Sequence, residues 1–183
     1  MDVNQLLKDY LTKDNEKHER RIGRYYASEV FAVKKGYKTI SGFFDEQSFD
    51  NMGLSRIFQG IAKEEMLEKV LKTMKVKHQW NTKYELKIRE GIVLVVKPDF
   101  EFDKVVIETK DTETPDIPEK YIYQLECEHR ATGKEVWIGR FGDRSQQFIT
   151  FIKYEPSIEV WEECQEILIN YHEKLLKKFP DKK

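Results

Sequence analysis

In the stretch VVKPDFEFDKVVIETK, Val95 to Lys110, three charged residues, Asp99, Glu108 and Lys110, sit where strand-forming runs normally carry Val or Ile. Side chains two apart on a strand share a face, so Glu108 and Lys110 point together while Ile107 and Thr109 point the other way. A hairpin through Phe100 to Asp103 would bring Asp99 beside Glu108. Two carboxylates and an ammonium then meet at one spot. Adjacent carboxylates repel, and burial makes each ion costlier, so the group persists most easily around a cation. Oxygen-only ligands select a hard divalent ion such as Mg or Mn. Such an ion lowers the pKa of a bound water and neutralises charge on a phosphate oxygen. Lys110 would orient that water or stabilise a pentacovalent transition state. In outline this is a site for phosphodiester hydrolysis. The plain alternative is a surface ion pair, because Glu85-Leu-Lys87 and Asp181-Lys-Lys183 share the acid-x-Lys spacing and Pro-Asp recurs at Asp116 and Asp181.

Composition narrows the setting. The 183 residues suit one domain. Charged residues make up 36% of them, mostly Lys and Glu with little Asn or Gln, a bias found in hyperthermophiles. The net charge of -1 gives no global attraction to nucleic acid, so any such site must be a local patch. Cys127 and Cys164 lack metal-ligand spacing, which argues against structural zinc, an iron-sulfur cluster or a disulfide framework. The opening MDVNQLLKDY carries charges where a signal peptide needs an apolar core, and no run is long enough to span a bilayer. A cytoplasmic, intracellular protein without membrane contact is expected.

The elements that must position the site follow from periodicity. Residues 3–12 read as a short amphipathic helix. From about Ser48 to Met74 the apolar positions keep helical spacing. Strand-like runs follow at Tyr84 to Ile88, Ile92 to Lys97 and Lys104 to Lys110. DTETPDIP, with two prolines, is a loop. A helix is expected from Glu119 to Arg130, ended by the ATGK turn, then strands at Glu135 to Phe141 and Gln147 to Lys153. A long helix begins at Pro156 and Ser157. This order fits an α/β domain with a central mixed β-sheet flanked by helices.

With these motifs in this order the chain resembles the PD-(D/E)XK nuclease superfamily, and within it the RecB-like exonucleases that include the CRISPR-associated ones. Pro98-Asp99 matches PD, Glu108-Thr109-Lys110 matches ExK, and Gln124-Leu125 in YIYQLECEH matches the start of the helix motif that follows, the likeness covering about residues 54–153. The resemblance implies a restriction-endonuclease-like core and a single nuclease domain over 1–183. Its parts would be a helical, basic-aromatic segment at 1–47, the core at 48–153 and a C-terminal helix at 154–183. It implies Asp99 and Glu108 as metal ligands, with the Thr109 carbonyl a further contact. Lys110 would be the catalytic lysine, and Gln124 would touch the DNA backbone or position that lysine. Gly60 sets Glu64 where the family has a His ligand, whereas helical phase puts the neighbouring Glu65 amid Leu54, Phe58 and Ile61. Glu64 is favoured on the motif. Glu128 stands where the family has Tyr, and the four cluster-binding cysteines of the CRISPR-associated members are lacking. The chain looks like a cluster-free relative, such as those of archaea and their viruses.

The implied activity is that of an Mg- or Mn-dependent deoxyribonuclease, foremost an exonuclease acting on DNA ends or single strands. A dimeric endonuclease or junction resolvase, and an inactive DNA-binding protein of the same fold, are the alternatives. Arg20, Arg21, Arg24, Tyr25 and Tyr26 suit phosphate contact and base stacking, or else form a solvated face with a tyrosine in the core. Lys34, Lys35 and Lys38 read as a solvated turn, and His78 and His129 as surface histidines. The three-four spacing of the last helix suits packing on its own sheet or a homo-oligomer seam.

Overall fold

A computed structural model describes residues 20–45, 51–111, 114, 116–141 and 149–182. The helix read at 3–12 lies outside them, as do Ser48 to Asp50 and Gln147. The strands are β1 (Arg24–Tyr26), β2 (Gln79–Trp80), β3 (Tyr84–Arg89), β4 (Ile92–Val96), β5 (Phe100–Glu101), β6 (Val105–Asp111), β7 (Glu135–Phe141) and β8 (Ile149–Lys153). The helices are α1 (Val30–Lys34), which follows a 3-10 turn at Ala27–Glu29, α2 (Asn51–Thr73), α3 (Glu119–Thr132) and α4 (Ile158–Lys178).

The mixed α/β class is as expected, but the strands form two sheets, β1-β4-β3 and β2-β5-β6-β7-β8. Pro98 supplies the reason. Without an N–H it cannot continue a ladder, so β4 ends at Val96 and the chain changes partners. Before the proline, β4 lies antiparallel to β3 and parallel to β1. After it, β5 lies antiparallel to both β6 and β2. Strands β6 and β7 run parallel, with Glu108 opposite Ile138 and Lys110 opposite Arg140. Parallel neighbours need a long crossover, and α3 is that crossover. Strand β8 pairs antiparallel with β7.

Helix α3 packs into two cores. Tyr123 and Cys127 join the larger one, with Tyr25, Val30, Ile92 and Leu94 on one side and Cys164, Leu168 and Leu175 of α4 on the other. Leu125 joins Val106, Val136, Ile138 and Tyr154 beneath the five-stranded sheet. Each fully buried Leu or Ile contributes about 1.5–3 kcal/mol of hydrophobic stabilisation. Gly133, in the left-handed conformation at φ 67°, ends α3 by donating its N–H to the His129 carbonyl. Ser157 caps α4, its hydroxyl accepting from the Val160 N–H at 3.3 Å.

A second constraint holds the small sheet. Gly23 sits at φ +92°, and a Cβ there would stand 2.3 Å from the Gly91 carbonyl oxygen. The Gly23 carbonyl accepts the Val93 N–H at 2.7 Å. Only glycine lets these two backbones meet so closely. No helix among the described residues is long and apolar enough to cross a membrane.

Candidate active site

Continuing the β5–β6 register beyond Phe100 opposite Ile107 would set Pro98 opposite Thr109. The break at Pro98 ends that pairing, and the side chain of Asp99 takes the place of the missing strand. Its Oδ2 accepts the Thr109 backbone N–H at 2.7 Å and the Thr109 hydroxyl at 2.6 Å. Asp99 is thereby fixed beside β6, which carries Glu108 and Lys110. Glu108 is 3% exposed. Its Oε1 accepts from the Lys110 ammonium, and its Oε2 is buried without a partner. The Lys110 ammonium also lies 5.4 Å from the centroid of the Tyr121 ring.

Helix α2 brings a further carboxylate. The Lys63 ammonium meets Asp111 Oδ2 at 2.8 Å, tying the helix to the end of β6. Glu64, the next residue, then faces Thr109 and Glu108. Glu65 is exposed, so the phase that set it amid Leu54, Phe58 and Ile61 is corrected. The cause is that α2 carries apolar residues around its whole circumference. Phe58, Met66 and Val70 are exposed, while Ile57, Ile61, Glu64 and Leu71 turn inward with buried Glu68.

The electrostatics are those of a crowded anionic centre. Burial, and then Glu108, push the Glu64 carboxyl up to about 7, against the opposing pull of Lys110 and Lys97. Asp99 is raised well above the ordinary aspartate range by burial, then by Glu108 and Glu64. Burial disfavours the charge on Lys110, but Glu108 and Asp99 outweigh it and hold the ammonium protonated. Glu128 on α3 is raised well above the glutamate range by burial, then by Glu108. Lys110 is the one cation whose ammonium touches these carboxylates among the described residues, and the crowding of acids around it favours the protonated forms of Glu64, Asp99 and Glu128. Among the described residues no three such side chains are already gathered around one point suited to an ion. The donors are nonetheless the oxygens a hard divalent cation takes, and the unpartnered Glu108 Oε2 is one of them.

The other expected residues are placed differently. Gln124 is 8% exposed and gives its Nε2–H to Glu128 Oε1 at 3.0 Å, one helical turn on, so its amide is engaged inside the protein. Tyr25 is corrected as a stacking residue: it is 2% exposed, and its hydroxyl is bonded to His172 Nδ1 at 2.8 Å. Arg24 is ion-paired with Glu85 at 2.7 Å and Arg20 with Glu29 at 3.5 Å, while Arg21 is exposed. Lys38 is half-buried and ion-paired with Glu29 rather than solvated, and the side chain of His78 is enclosed by Phe100 and Phe102. Sequence reasoning missed Lys63, Lys97 and the hydroxyl of Thr109 as parts of the site. It noted Glu128 only as a departure, although the spacing of four from Gln124 was a visible signal.

No family model matches this chain, and no curated protein does either. Solved structures do. An alkaline exonuclease from Laribacter hongkongensis aligns with a TM-score of 0.65 at 14% identity, covering 87% of this chain and 91% of that one. The same enzyme in complex with dAMP gives 0.62 at 17% identity, over 87% and 93%. A phage-related exonuclease from Haemophilus somnus gives 0.56 at 13% identity, over 90% and 99%. The chain shares the fold of these exonucleases, with Asp99, Glu108 and Lys110 gathered at the point where its two sheets part.

Proposed function

We propose that this protein is a divalent-metal-dependent deoxyribonuclease, an exonuclease acting on DNA ends or single strands, with all 183 residues in one nuclease domain. We further infer a place among RecB-like PD-(D/E)XK enzymes that lack iron-sulfur cysteines, of the kind found in archaea and their viruses. The observation that carries the reading is the Asp99–Thr109 clasp, which holds one carboxylate against the strand bearing Glu108 and Lys110.

Asp99, Glu108 and Glu64 would hold Mg or Mn, with the Thr109 carbonyl as a further contact. When bound, the ion supplies a water of lowered pKa and neutralises charge on the phosphate. The protein's own groups do the rest. Glu108 and Asp99 keep Lys110 charged, so its ammonium donates to a phosphate oxygen and offsets the charge that grows there. Tyr121 packs beside that ammonium. Gln124 works from within, fixing Glu128 rather than touching DNA. Arg21, exposed beside the Arg24–Tyr26 strand, would contribute a phosphate contact from the basic segment.

The test is cleavage of end-labelled single-stranded and duplex DNA, linear and circular, with Mg or Mn, with EDTA and Glu108→Ala as controls. Metal-dependent loss of linear DNA, abolished by Glu108→Ala and sparing circles, is expected. Cutting of circles would replace exonuclease by endonuclease. Absence of any cleavage, with DNA still bound, would overturn the enzymatic reading.

A further inference from the structure

Helix α3 buries two glutamates completely, Glu126 and Glu128, each 0% exposed, and their surroundings differ. Glu126 is saturated. Its Oε1 accepts from Arg130 Nε at 2.7 Å, and its Oε2 accepts from the Tyr154 hydroxyl at 2.8 Å and the Ser157 N–H at 2.9 Å. It braces α3 against the start of α4, and that accounts for its burial. Glu128 has Gln124 on Oε1 alone, while its Oε2 is enclosed with no donor.

The Glu128 carboxyl lies within hydrogen-bonding reach of Glu108, whose own Oε2 is also enclosed and unpartnered. One buried polar atom without a partner costs on the order of 1–3 kcal/mol, and this chain carries two of them on neighbouring carboxyls. Lys110 gives its ammonium to the other oxygen of Glu108. Both orphaned oxygens are acceptors while the two groups are ionised. A proton shared between them satisfies both when no metal is bound, and a shared cation replaces that proton.

We propose that Glu128 is a ligand arm of the acidic centre, pairing its Oε2 with that of Glu108 to hold a divalent cation alongside Glu64 and Asp99. The inference rests on the nuclease reading above. Gln124 is then a positioning residue, anchoring one Glu128 oxygen so that the other is left for the ion. Each added carboxylate raises affinity for a hard cation, so the centre retains Mg or Mn more tightly than one with a neutral group at this position.

Mn(II) binding by the full chain without DNA, measured by isothermal titration calorimetry and by loss of the free-ion EPR signal, separates this from cleavage. Glu128→Gln keeps the shape and can donate to Glu108. It is expected to bind Mn(II) at least tenfold more weakly, with Tm in EDTA unchanged or raised. Wild-type affinity in Glu128→Gln, with Glu108→Gln weakened, overturns the ligand role and leaves the nuclease reading standing. A wild-type chain that takes up no Mn(II) overturns both. Should Glu128→Gln not fold, Glu128→Asp, which keeps the charge and shortens the arm, is expected to weaken Mn(II) binding likewise. Undiminished binding by that variant overturns the proposal.

Discussion

Replacing Glu64 by Gln isolates the repulsion stored in the acidic centre. With its carboxyl raised from 4.5 to about 7 in the fold, first by burial and then by Glu108, Glu64 favours the folded state only while protonated. That stability is fully present below the unfolded value of about 4.5 and is lost as pH rises through about 7. At 1.36 kcal/mol per unit the shift converts to about 3 kcal/mol. Glu64 is only partly buried, and solvent screening reduces the figure to about 2 kcal/mol. Glutamine mimics the protonated acid. In EDTA at pH 8, Glu64→Gln is therefore expected to be more stable than wild type by about 2 kcal/mol, or roughly 4–8 °C in Tm. At pH 4.5 the two should coincide. Urea unfolding followed by circular dichroism at both pH values is the assay, with exposed Glu65→Gln as the control. Equal stabilities of wild type and Glu64→Gln at pH 8, or a gap of the same size for Glu65→Gln, would refute the placement of Glu64 beside Glu108.

Other sites yield sharper single outcomes. Lys110→Ala should lower the single-turnover cleavage rate by about 10²–10³, or 3–4 kcal/mol of barrier, the scale set by loss of one transition-state donor; an unchanged rate would remove Lys110 from the chemistry. Gly23→Ala should cost about 3 kcal/mol or more, seen as a Tm drop of roughly 6–12 °C, because its Cβ would overlap the Gly91 carbonyl at 2.3 Å and its φ is +92°. His172 has its pKa lowered by burial and then by Arg89, so its contribution is whole above about 6.5 and fades as pH falls below that. His172→Gln should flatten that part of the acid limb in a pH series of denaturant midpoints.

What could be read from the sequence was local. Strands β3, β4, β6 and β7 announce themselves by alternation or continuous β-branched runs, and the pairing of Pro98-Asp99 with Glu108 and Lys110 needs only a hairpin. Strand β1 was not legible: its three residues, Arg-Tyr-Tyr, have the composition of a nucleic-acid surface. They become a strand because β4 offers a parallel edge far along the chain. Strands β2 and β5 are two residues long, too short for any period to register. The face of α2 was obscured by its exposed Phe58, Met66 and Val70, so only tertiary contact with β6 separates Glu64 from Glu65. The role of Glu128 was hidden for a different reason. A glutamate on an amphipathic helix reads as solvent-facing, and its complete burial follows from α3 being packed into two cores at once.

The crossover from β6 through α3 to β7 carries Glu108, Lys110, Gln124 and Glu128 on one uninterrupted stretch of chain. Asp99 joins it through a short hairpin, whereas Glu64 arrives on a separate helix. Most of the reactive machinery is thus close in sequence, and the loops that gather it close at less entropic cost than the longer one that brings in Glu64. Conservative changes in the β6–α3–β7 interface, such as Ile138→Val, should slow refolding, while changes on α2 should act mainly on the unfolding rate. On this account the charges of the centre are expected to gather before the helix that completes it docks.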